Sequence, residues 1–388
     1  MQADLSARPP LLARALNAGI EQPLAARIAV VDPGSFVLPY DYQLVRAIAE
    51  RGDGVDFYGS TTHYNGEFLE AMHNLPGVQV RARGISSSVA ARWQGAWAYL
   101  TLLATLLWNA RHYATVNLQF SGFWPAEVLV FGLLRRKFVF TVHNAVPHGF
   151  ALAQHRPTQR LASLARSLVF VSESTRDDFM RRYGESFRAK ASVLPHGLLP
   201  VAPQAGLTPY DAGVQLSSLL FWSTVKPYKG VELFGDLARS DEIRRRGLAL
   251  AIYGAWADEL RGLREELAGQ GVAIHDGYLD QAQLLGLLAQ NAVFLLPYQQ
   301  ASQSGALYSL LNHGRLFICA DVGDLGAFMR RFGLQGLLLK NRSAEAVIEC
   351  MDYLHANRAA VAEAFTHAQQ ALRWDRLLAE AGQAYRSS

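Results

Sequence analysis

Leu219-Leu-Phe-Trp-Ser-Thr-Val-Lys-Pro-Tyr-Lys-Gly-Val231 decides the fold. Residues 219–222 are an apolar run of strand length. Serine, threonine, proline and glycine then interrupt it, and a helix is expected to begin near Val231. Strand, turn-forming loop and helix in so few residues make one βα unit, and repeated units of this kind build a parallel sheet with helices on both faces.

The same alternation continues in both directions. Toward the C-terminus, strands are predicted at 248–253, 273–276, 293–296 and 316–320. Toward the N-terminus they are predicted at 26–31, 54–58, 78–83, 115–119, 137–143, 167–171 and 191–194. A first helix starts at Pro39-Tyr40-Asp41 and runs to about Arg51, with Asp41 as its N-cap. Pro200-Val-Ala-Pro-Gln-Ala-Gly-Leu-Thr-Pro209 has no apolar period and reads as a linker. The fold class is therefore α/β, with two doubly wound, Rossmann-like domains facing each other across a cleft. The expected domains are 1–200, a linker 201–214, and 215–365, with 366–388 crossing back to the first domain. The chain after Asn341 reads as helical, and 360–385 is long enough to span a domain junction.

Composition agrees with two domains: 388 residues, half of them apolar, exceed what one ordinary core holds. Charged residues make up 18% and the formal net charge is only +4, far below that of a nucleic-acid binder. The mild basic excess suits anionic partners such as sugar nucleotides, lipid diphosphates or an anionic membrane face. Cys319 and Cys350 are the only cysteines and form no CxxC, so neither a disulfide framework nor a zinc site is expected, and a reducing cytoplasm suits the chain. The N-terminal stretch lacks the apolar core of a signal peptide. Residues 95–108 are apolar but shorter than the roughly 20 residues of a bilayer span.

Doubly wound sheets bind ligands beyond the carboxyl ends of their strands, where helix N-termini and loop amides point outward. Three loops in the second half stand there. In the first, which opens with Ser223 and Thr224, Lys226 and Lys229 can meet a diphosphate as point charges and offset the charge growing on a leaving nucleotide. Two solvated lysines in a turn are the plainer alternative. In the second, Ser302, Gln303, Ser304, Gly305 and Ala306 mark a helix start whose free amides suit a phosphate, or a simple serine cap. In the third, Gly254 and His275-Asp-Gly-Tyr-Leu279 allow close backbone approach to a nucleotide, or a turn.

In order and spacing these segments resemble the C-terminal domain of GT-B glycosyltransferases, particularly family 4 and relatives that build bacterial exopolysaccharides. Gly314-Arg-Leu-Phe-Ile-Cys-Ala-Asp-Val-Gly323 closes the series, and the resemblance spans about residues 26–365. It implies a basic pair on the donor diphosphate at Lys229 and Lys226, with Thr224 where the family usually has arginine. It implies phosphate-clasping amides from Ser302 to Ala306 and base contacts near Tyr278 and Leu279. Thr141-Val-His-Asn-Ala-Val-Pro-His148 resembles the strand-end histidine motif that contacts the transferred sugar, with His143 at the matching position. A core or capping histidine is the alternative.

Two glutamates usual in the family, eight positions apart, are here Ala301 and Ser309. With them absent, both retaining and inverting chemistry stay open. An inverting enzyme needs a general base, for which Asp41 after the first strand is the candidate, the alternative being a helix cap. No DxD triplet occurs, so a metal-independent transferase is expected; the nucleotide sugar is its substrate, and no cofactor is expected.

The expected activity is transfer of a sugar from a GDP- or UDP-sugar to a glycan or lipid-linked saccharide in bacterial polysaccharide or glycolipid assembly, in the cytoplasm. Contact with an anionic membrane would come through the stretch 92–111, with aromatics near both ends and arginines outside; burial of that stretch against the sheet is the competing reading. A nucleotide-sugar epimerase and a non-catalytic nucleotide-sugar-binding protein are the alternatives.

Overall fold

Two parallel sheets, each fed by strand–helix–strand crossovers, organise the chain. The computed structural model describes residues 27–61, 66–84, 91–122, 125–145, 155–213, 215–301 and 304–385. The first sheet comprises β1 (Arg27–Asp32), β2 (Gly54–Thr61), β3 (Val78–Gly84), β4 (Thr115–Leu118), β5 (Phe138–Val142), β6 (Ser167–Phe170) and β7 (Ala191–Val193). Its order is β3-β2-β1-β4-β5-β6-β7, so the chain reverses direction across the sheet beside β1 and β4. In register, Val30 lies opposite Phe57 on β2 and Val31 opposite Leu118 on β4.

The second sheet comprises β8 (Ser218–Trp222), β9 (Ala249–Gly254), β10 (Ala273–Asp276), β11 (Ala292–Leu296), β12 (Leu316–Ala320) and β13 (Leu338–Leu339). Its order is β10-β9-β8-β11-β12-β13, with the reversal between β8 and β11. β5, β11 and β12 are buried along their whole length, because helices cover both faces and no side chain faces water. Two-residue β13 has no counterpart in the sequence reading; so short a run carries no period.

The C-terminal segment departs from one long helix. Helices Arg358–Ala371 and Trp374–Ala381 are separate, with Arg373 extended between them. The break lets Trp374 turn inward, where its indole N–H donates to the Leu198 carbonyl at 2.9 Å and the Leu198 amide donates to Leu372 at 3.1 Å. A β-carbon on Gly197 would lie 2.5 Å from that indole, so glycine is required there. The second helix packs on Leu38–Glu50 in the first domain, and Tyr385 donates to Asn117 on β4 at 3.4 Å. The chain thus returns to the sheet it left.

Asp41 is not an N-cap. The helix begins at Leu38 with Val37 at the cap position, placing Asp41 within the first turn and wholly inside the protein. Nor is the stretch 92–111 simply buried. Helix Ala91–Asn109 hides Tyr99, Leu102, Leu103 and Leu106, while Trp97 and Trp108 stand 70% and 83% exposed.

Candidate functional site

The strand ends of the two sheets line one cavity of about 540 Å³ between the domains. On the second-domain side three loops converge. After β8 the chain crosses to a parallel bridge between Val225 and Trp256, then makes a tight turn at Pro227–Lys229 closed by Gly230 in the left-handed region. Gly254 ends β9 at φ +146°, and a β-carbon there would lie 1.8 Å from the Ser223 carbonyl oxygen. Only glycine lets the two loop backbones touch. The Gly277 amide donates to Gly254 at 3.3 Å, bringing in the third loop with Tyr278 and Leu279 on the cavity wall.

Lys229 is buried, and its ammonium sits 3.7 Å from the centre of the Tyr298 ring and 5.3 Å from that of Tyr228. Among the described residues no carboxylate pairs with it. The hydroxyl of Tyr298 lies 3.3 Å from Ser304 Oγ, at the start of helix Gly305–Asn312. One tyrosine therefore ties the buried ammonium to a helix N-terminus, and both features favour an anion.

The first-domain side is aromatic. Phe120 stacks on His143 with centroids 4.5 Å apart, Tyr40 meets His143 edge-on at 4.9 Å, and Phe36 meets Phe120 at 5.6 Å. His196, from the loop after β7, meets Tyr40 at 5.1 Å and stacks on Tyr308 of the second domain at 4.2 Å. His143 Nε2 lies 2.9 Å from Gln119 Oε1, and the amide of Gln119 donates to Asn117. That direction assigns the His143 proton to Nε2 and leaves Nδ1 as an acceptor. Burial, assisted by His196 nearby, lowers the His143 pKa to about 3, and burial lowers that of His196 to about 4, so both rings are neutral.

Of the residues singled out in the sequence, His143, Ser223, Thr224, Lys229, Gly254, Tyr278, Leu279, Gly305 and Ala306 line the cavity. Ser304 stands just behind the wall, making no side-chain cap bond and facing Tyr298 instead. Ser302 and Gln303 lie outside the described residues. Two positions differ from expectation. Lys226 is exposed and off the wall, because the turn that brings Lys229 inward leaves its first residue outside. Asp41 does not reach the cavity, which Tyr40 lines in its place. Burial and the neighbouring Asp32 carboxyl push Asp41 well above the usual carboxylate range, and burial raises Asp32 to about 6.

The sequence reading passed over Phe36, Tyr40, Phe120, His196, Trp222 and Tyr298 on the wall. All but Tyr40 sit at or just beyond strand ends, where position after the strand was the signal. Tyr40, in a helix's first turn, had none.

Residues 40–198 match the family described as Glycosyltransferase Family 4, which is less than half of the chain. No curated protein matches the chain by sequence. Among solved structures, HepE of Anabaena in complex with UDP and glucose superposes with a TM-score of 0.64 at 14% identity, over 92% of this chain and 98% of that one. Sucrose-phosphate synthase from Thermosynechococcus elongatus gives 0.65 at 15% identity, over 93% and 98%. WaaG, a glycosyltransferase involved in lipopolysaccharide biosynthesis, gives 0.58 at 16%, over 91% and 99%. The fold is that of GT-B glycosyltransferases.

Proposed function

We propose that this protein transfers a sugar from a nucleoside diphosphate donor, held by the second domain, to an acceptor that enters along the first. One observation carries the proposal: a buried ammonium at the meeting point of three strand-end loops, faced by aromatic rings and, among the described residues, by no carboxylate. An ammonium on a cavity wall with no carboxylate beside it is open to an anion entering from solution. A diphosphate supplies the counter-ion, and the ammonium with the nearby helix start stabilises the nucleotide as it leaves. The family match over the first domain and the UDP in a neighbour of the same fold support this reading. The donor is a UDP- or GDP-sugar, and transfer proceeds without a metal.

The acceptor is a glycan or lipid-linked saccharide of bacterial polysaccharide or glycolipid assembly, met at the cytoplasmic face of an anionic membrane. Beyond Trp97 and Trp108, helix Pro125–Leu133 turns Leu129 and Leu133 outward, 67% and 69% exposed. Arg111, Arg135 and Arg136 gather where the two helices end, beside Leu133. Apolar anchors edged by arginine suit an anionic lipid surface. No helix among the described residues is long and apolar enough to cross a membrane.

Calorimetric titration with UDP and GDP, joined to nucleotide release with and without added acceptor, tests the reading. Acceptor-dependent release supports transfer. Donor turnover without acceptor points to an epimerase, binding without turnover to a non-catalytic binding protein, and absence of any binding removes the proposal.

A further inference from the structure

Among the described residues the cavity wall carries no aspartate or glutamate. Among the described residues on the wall Lys229 is the one lysine or arginine, and the histidines, His143 and His196, are neutral. The two carboxyl groups nearest in sequence to Tyr40, Asp32 and Asp41, are buried off the wall.

Each sugar hydroxyl donates one hydrogen bond and can accept two, and carboxylates are the strongest acceptors for the donated one. A hexose with a full set of hydroxyls would find no carboxylate on this wall, only weaker neutral acceptors such as His143 Nδ1 and the Ser309 hydroxyl. The space between Lys229 and the first domain is bounded instead by the rings of Phe36, Tyr40, Phe120 and His143, and by Ala301 and Ser309 at the start of the second-domain helix and just before it. Such a wall rewards methyl groups and ring C–H faces.

Resting on the proposed donor site, we propose that the transferred sugar is hydroxyl-poor: a deoxy or acylamino sugar in which at least one ring substituent is hydrogen, methyl or acylamino rather than hydroxyl. A hydroxyl buried without a partner weakens binding by about tenfold or more, whereas a methyl on an aromatic wall strengthens it.

The whole chain is titrated first with UDP, GDP and dTDP to find the base it holds. The matching sugar nucleotides follow in pairs that share ring configuration: UDP-glucose with UDP-N-acetylglucosamine, GDP-mannose with GDP-D-rhamnose, dTDP-glucose with dTDP-6-deoxy-D-glucose. The expected result is a deoxy or acylamino form bound at least about tenfold more tightly than its hydroxyl-complete partner, the latter binding no better than the bare diphosphate. A hydroxyl-complete form that binds about tenfold more tightly than its own diphosphate, or equals its partner, overturns the inference while leaving the donor site intact. Failure of all three diphosphates to bind overturns the donor site itself. In a second test, Ser309→Glu places a carboxylate on the wall and is expected to raise the affinity ratio of hydroxyl-complete nucleotide to bare diphosphate. An unchanged ratio in a variant with the parent circular dichroism spectrum speaks against the inference.

Discussion

The ammonium of Lys229 lies 3.7 Å from the centre of the Tyr298 ring, whose hydroxyl is 3.3 Å from Ser304 at the start of helix Gly305–Asn312. An aromatic face stabilises a cation without neutralising it. The site therefore keeps its positive charge for a ligand.

Lys229→Met should weaken nucleoside diphosphate binding by about tenfold or more, the range expected for one charge-assisted hydrogen bond. Lys226→Met, a change on the exposed arm of the same turn, should alter it by less than about threefold, because exposed charges interact weakly. Equal effects of the two, by calorimetry, would contradict the geometry.

His143 is neutral across the physiological range, since its pKa is lowered to about 3 by burial and by His196. It should act as a fixed hydrogen-bonding group oriented by Gln119, not as a titrating one. His143→Gln is expected to lower turnover about tenfold or more with the fold retained. The pH–rate profile between 5.5 and 8 should keep its shape in that variant, and loss of an inflection in it would show that the imidazole titrates.

Stability should fall on acidification, but less than the histidines alone would dictate. His143, His196 and His313 have folded pKa values of about 3, 4 and 4 against the ordinary 6.5, so their contribution is present above 6.5 and is lost as pH drops. Asp32 and Asp41 act in the opposite sense: raised in the fold, they contribute most in acid, and Asp32's share is lost as pH rises through about 6. On acidification unfolding takes up protons on the three histidines and releases them from the aspartates, so the two effects partly offset each other. Asp41→Asn removes one of the opposing groups and should steepen the fall of stability with acid. Urea titrations between pH 4.5 and 6 measure it, and an unchanged slope would separate Asp41 from the effect.

Sugar transfer should survive a chelator. Lysine and helix amides stand where a divalent ion would otherwise offset diphosphate charge. Activity abolished by EDTA and restored by manganese would refute this.

Flotation with liposomes should depend on anionic lipid and on the outward face of the first domain. Replacing Trp97 and Trp108 together with alanine should reduce the bound fraction several-fold at fixed ionic strength, and raised salt should do the same through Arg111, Arg135 and Arg136. Flotation indifferent to lipid charge would remove membrane contact from the proposal.

The strand runs, their order along the chain and the loops at their carboxyl ends were legible in the sequence, because apolar period and turn residues are local properties and act wherever the chain goes. His143, Lys229 and Gly254 could be named for that reason: each follows a strand, and strand ends in this fold face the ligand. What a side chain does within its own turn is decided by contacts far away in sequence. Lys226 and Lys229 are three residues apart, yet the approach of Tyr298 from β11 draws in only one of them. Asp41 suited a cap or a base, and only packing beside Asp32 made it a buried acid that caps nothing and lies off the cavity wall. Nothing local foretold that the C-terminal helix would break at Arg373 so that Trp374 could pack against Gly197. Burial, partner and charge state belong to the assembled chain, since each depends on which distant residues exclude water.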